Sequence, residues 1–125
     1  MQVKLVVSAM AALVVFSSPV FAHHGAAAFD AKNPLTVTGT VTDFQFVNPH
    51  CQVFFDLKND KGEVEHWRAE LTAPNKLARA GWTKRSLTPG DKITVTGLVE
   101  KNGVHMIWIQ KLIGPDGQPM LLSEN

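Results

Sequence analysis

Cysteine is almost missing from this 125-residue sequence, and so is any imbalance of charge. The single cysteine, Cys51, excludes an internal disulfide whatever the redox compartment, so stability must come from packing. A formal net charge of +1 excludes the strongly basic surface that nucleic acid or an anionic membrane would require. Apolar runs long enough to cross a bilayer are also missing, because the one apolar run, residues 5–16, is too short. No internal repeat, low-complexity linker or second domain interrupts the chain. No nucleophile–base pattern, phosphate-cradling glycine loop or zinc-hydrolase motif occurs either, so a binding role is expected before an enzymatic one.

The start of the chain has the layout of a cleavable signal peptide. Lys4 opens it, "LVVSAMAALVVF" is the apolar region, and "SSPVFA" is a polar, small-residue exit. Val20 and Ala22 flank Phe21 in the small-residue positions, which predicts cleavage between Ala22 and His23. No cysteine follows the cut, which argues against a lipid anchor. Lys4 is the only charge in residues 1–22, so the remainder is formally neutral and has no retained membrane segment. About 100 residues then remain, enough for one unaided core with little margin.

From residue 35 the pattern is β structure. "LTVTGTVTDFQFV" (35–47) alternates Val37, Gly39 and Val41 with threonines, then switches parity at Phe44 and Phe46. One extra residue near Asp43, a bulge, explains the switch and bends the strand. A second strand at 51–58 sends Cys51, Val53 and Phe55 to one face and Phe54 to the other. "NDKG" is a hairpin turn. The third strand, 63–71, turns Trp67, Ala69 and Leu71 inward and leaves His66, Arg68 and Glu70 outward. A short helix is expected over 72–82, capped near Thr72, carrying Pro74 in its first turn and stopped by Gly81. Trp82 is placed to seal an end of the barrel, and Glu70 is placed to pair with Arg79. A fourth strand within 87–100 alternates Ile93, Val95, Gly97 and Val99. The fifth, 104–113, is apolar on both faces along its middle. Residues 23–34 form an N-terminal segment, and 35–122 form an all-β domain with one short helix. The order β-β-β-α-β-β is that of a five-stranded OB-like barrel, with Gly39 and Gly97 where tight coiling needs them. A split β-sandwich is the alternative.

The stretches "AHHG…FD", "VTGTVTDFQFVNPH", "NKLARAGW" and "LTPGDKITVTG" together resemble a family of small, exported bacterial proteins known only as a domain of unknown function. The resemblance covers essentially all of the chain after the leader. It implies a bacterial periplasmic location and a compact β-rich domain, and it implies no activity, ligand or catalytic residue.

Chemistry is concentrated in the five histidines, all beyond the leader: His23, His24, His50, His66 and His105. Imidazole suits copper, zinc and nickel. Cleavage before His23 gives that residue both a free α-amine and a ring nitrogen, the chelating half of a histidine brace for copper. His24 or a distant histidine supplies the rest. Cleavage one residue earlier leaves Ala22-His23-His24, which binds Cu(II) or Ni(II) in a square plane, so either terminus permits copper. His50 follows Pro49 in a stiff turn that borders the ligand face of OB barrels. His105 stands at a barrel rim as a weaker candidate, and His66 reads as solvated surface. Cys51 points inward and reads as a small hydrophobe rather than a thiolate ligand. Met106 and Met120 are softer donors more easily read as packing.

These readings converge on a periplasmic copper-binding protein whose metal sites are His23, His24 and His50, acting in metal handling with a donor or acceptor protein as partner. The competing reading is a metal-free interaction module that meets a peptide, glycan or protein through the barrel face and loop 48–50. An accessory redox protein using the same copper is a third reading.

Overall fold

A computed structural model describes residues 28–124. The leader, its cleavage point, His23 and His24 lie outside the described residues. Six strands and one helix follow in the order β1 (Leu35–Gln45), β2 (Gln52–Lys58), β3 (Val64–Glu70), α1 (Pro74–Arg79), β4 (Lys92–Val99), β5 (Met106–Ile113) and β6 (Pro119–Met120). The sheet runs β3-β2-β1-β4-β5-β6, and a further pairing of β3 with β5 closes it. That closing contact is parallel, while the other pairings are antiparallel. The result is a closed five-stranded barrel with one short helix between β3 and β4, as the order of elements predicts. Among the described residues, no helix is long and apolar enough to cross a membrane.

The bend in β1 has the expected cause. Val41 pairs with Phe55 and Asp43 with Phe54, so Thr42, next to Asp43, is the extra residue of the expected bulge. This inversion lets Val41 before the bulge and Phe44 after it both face the core. Two glycines permit the barrel to close. A Cβ on Gly39 would sit 2.7 Å from the Asp56 carbonyl oxygen, and one on Gly97 only 2.1 Å from that of Trp108. No side chain fits at either point.

The helix is shorter than 72–82 and is not capped by Thr72. Ala73 takes the cap position without a side-chain bond, Pro74 starts the first turn, and Gly81 ends the run at φ +92°. Leu77 is its one buried residue. Beyond the helix, the Trp82 amide donates to the Leu77 carbonyl, and its indole Nε1 donates to the Leu121 carbonyl at 2.6 Å. Trp82 is thereby fixed in the core, 4 % exposed and packed against Phe44. Strand β6 has no counterpart in the sequence reading. It is only two residues long, and the "GPDGQP" turn composition hides it.

Both faces of β5 are covered. Ile107 and Ile109 enter the barrel core, whereas Met106 is fully buried outside that core. The cover is supplied partly by the N-terminal segment. Phe29 bridges to Glu100, the Asp30 amide donates to the Val99 carbonyl, and the Lys101 amide donates to the Ala28 carbonyl.

Candidate functional site

Strand parity sends His66, Arg68 and Glu70 to the outer face of β3, yet Glu70 is only 8 % exposed. It is the one buried charged side chain among the described residues. Two neighbours, His50 and Trp108, lie against it. The β2–β3 ladder runs one step past its named ends, with the Cys51 amide donating to the Thr72 carbonyl and the Leu71 amide to the Cys51 carbonyl. That holds the preceding residue, His50, against Glu70. The parallel register of β3 and β5 sets Trp108 directly beside Glu70. Phe29 then lies over Trp108, their ring centroids 6.4 Å apart.

His50 Nδ1 stands 2.6 Å from Glu70 Oε1. A carboxylate can only accept, so Nδ1 carries the proton, and in the neutral imidazole the lone pair lies on Nε2. The imidazole also meets Trp108 edge-on at 5.4 Å between centroids. Ring orientation and tautomer are thus set together by a carboxylate and an indole, the support a metal-binding histidine normally has. Glu70 does not pair with Arg79, as the sequence had suggested. Arg79 Nη1 reaches Glu124 Oε1 at 3.4 Å, because the helix turns its basic last turn toward the C-terminal tail.

The other candidate donors are distributed elsewhere. Cys51 is fully buried in the core, where burial pushes its thiol pKa up and the side chain packs as a small hydrophobe. Met106 Sδ accepts a hydrogen bond from Arg68 Nη2 at 3.0 Å. Met120 packs against the core from β6. His66 projects into solvent with Nδ1 on Asp56 Oδ1 at 2.6 Å. His105 lies flat on Trp67, with centroids 4.6 Å apart and planes 4° apart, and its Nε2 is 3.9 Å from Glu65 Oε2. Trp67 Nε1 donates to that same oxygen at 2.9 Å and holds the Glu65 carboxyl below its ordinary range.

No group of three or more His, Cys, Asp or Glu side chains that could hold a metal ion occurs among the described residues. His50 is therefore a single, oriented donor. The other two histidines of the sequence reading, His23 and His24, lie outside the described residues.

Glu70, Trp108 and Phe29 were not singled out as a site from sequence. The available signal was the carboxylate on an outward strand position beside the residue pair that continues into the His50 turn.

Comparison with known proteins adds a family and little else. A family of unknown function (DUF6152) matches residues 10–107. No curated protein matches the chain. Among solved structures, a tRNA fluorescent labeling enzyme aligns with 66 % of this chain at 21 % identity and a TM-score of 0.44, and the match spans 18 % of that enzyme.

Proposed function

This chain belongs to the DUF6152 family, a family of unknown function, and we propose that it is an exported periplasmic protein that binds and hands over copper. The ion is held by His50 Nε2 together with the α-amine and ring of His23, with His24 as a further ligand.

One observation carries this reading: His50 is tied through Nδ1 to Glu70, the one buried carboxylate among the described residues, which leaves Nε2 of the neutral ring as an oriented donor. Chain anchoring supports the remaining ligands. Phe29, five residues after His24, sits on Trp108, which in turn touches His50. Five residues of extended chain reach up to about 17 Å. That exceeds the two ring separations taken end to end, so the N-terminal histidines are within reach of His50. An all-nitrogen donor set favours Cu(II) over the other first-row divalent ions. When bound, copper would supply a labile, exchangeable cargo ion or a one-electron centre. The chain's own contribution is to fix one imidazole and to leave it accessible, since the His50 side chain remains 39 % exposed. Accessibility of that kind suits exchange with a donor or acceptor protein.

The test is to express the precursor, measure the intact mass of the exported form, and titrate Cu(II) into it and its His23→Ala and His50→Ala variants. The expected mass begins at His23, and the expected affinity is sub-micromolar, roughly −8 kcal/mol or tighter. Each substitution should weaken it by about tenfold or more. Unchanged affinity after blocking the amine and replacing both His23 and His24 would sink the proposal. Absence of tight metal binding would turn the reading to a metal-free module contacting a peptide, glycan or protein through loop 48–50.

A further inference from the structure

A second corner of the same outer face carries a different chemistry. A groove of ≈ 400 Å³ opens there, lined among others by Phe54, His66, Arg68, Val104 and His105. Its central feature is Arg68. Among the described residues the guanidinium has one side-chain acceptor, the thioether of Met106, and forms no salt bridge. A thioether is a weak, neutral acceptor, while a guanidinium carries five donors and a permanent charge. Most of the fork is thus open on a half-buried arginine.

The nearby carboxylates are already engaged. Asp56 accepts from His66, and Glu65 accepts from Trp67 Nε1 and Asn59 Nδ2 while facing His105. The rest of the lining is apolar or aromatic. Phe54 is the direct cross-strand partner of Arg68, Val104 is 48 % exposed, and His105 stacks on Trp67.

We infer that this groove binds a small organic carboxylate, with the Arg68 fork on the carboxylate and its apolar body between Phe54 and Val104. A planar fork matches a carboxylate in two parallel hydrogen bonds. Few convergent polar groups over an apolar lining is the usual composition of a small-molecule site. A single planar guanidinium fork matches the two coplanar oxygens of a carboxylate. The assignment is separate from the copper proposal, because Arg68 bonds to Met106 whereas Glu70 bonds to His50.

The test is an amide NMR titration of the exported, metal-free chain with benzoate, set against benzamide and inorganic phosphate. Benzoate should shift the amides of Phe54, Arg68 and His105 saturably. Arg68→Gln should weaken it about tenfold or more, the worth of a charged hydrogen bond. Val104→Glu, a change at an exposed position, should do the same by placing a competing carboxylate beside the arginine. It carries the test alone if Arg68→Gln fails to fold. Non-saturating shifts, equal affinity for benzamide, tighter binding of phosphate, or full affinity in Val104→Glu would each overturn the assignment.

Discussion

Two histidine–carboxylate pairs on this barrel have the same contact, Nδ1 to oxygen at 2.6 Å, in opposite surroundings. In the His66–Asp56 pair the side chains are 81 % and 34 % exposed; in the His50–Glu70 pair they are 39 % and 10 %. Water competes for every donor and acceptor in the first pair, so it is worth about 0–1 kcal/mol. In the second, Glu70 has lost most of its water and depends on the imidazole. Identical geometry therefore means a surface ornament in one place and an oriented donor in the other. The difference comes from what lies beside each pair: His66 is open to solvent, whereas Trp108, itself packed on Phe29, stands beside Glu70.

Removing that packing should have the largest effect. Phe29→Ala deletes a ring that is 4 % exposed, at a cost of about 3 kcal/mol. Urea unfolding would measure it. A loss below about 1 kcal/mol would mean the N-terminal segment is not a fixed part of the corner. The variant should also bind copper more weakly, because the anchor for His23 and His24 is lost.

Next comes the imidazole itself. His50→Ala strands a buried carboxylate and should cost about 2 kcal/mol, whereas His66→Ala should stay within about 0.5 kcal/mol of the parent. Equal losses in the two variants would erase the contrast between the pairs. Smaller again, Glu70→Gln keeps the shape but weakens the control of the tautomer. Copper affinity should fall about tenfold, with no change in Asp56→Asn. Isothermal titration of both variants separates positioning from bulk charge, since each removes one negative charge.

The contrast itself was only partly legible in the sequence. Period-two alternation located β1 to β4 because one face of each enters the core, and the parity switch at Phe44 disclosed the bulge. The double-sided apolar character of β5 was legible as well, but not its cause. Trp108 and Met106 are covered by Phe29 and Arg68, partners far away in sequence. Glu70 shows the same gap. Its outward parity was correct, and its burial follows from a turn, a parallel register and a strap that local pattern does not encode. The short helix made Thr72 look like a cap, though the chain was held there by the Cys51–Thr72 bond instead. His50 could be suspected from the stiff Asn48–Pro49 turn, yet its carboxylate partner is 20 residues away.

The third histidine–carboxylate contact refines the comparison with the smallest effect. His105 Nε2 is 3.9 Å from Glu65, too far for a hydrogen bond, so this pair is held by something else. Trp67 Nε1 is the main cause of the lowered Glu65 pKa; burial opposes it, and Asn59 and His105 add to it. Because the folded value lies below the ordinary 4.5, the unfolded chain takes up the proton first as pH falls. The stabilisation is therefore complete above the ordinary value and disappears as pH drops through the folded one. Measured by urea unfolding, the stability gap between the parent and Glu65→Gln should be open at neutral pH and close in acid. Trp67→Phe should remove most of that pH dependence, and His105→Ala should leave most of it. If His105→Ala abolished it instead, the ion pair would govern this corner, and all three histidines would share one mechanism.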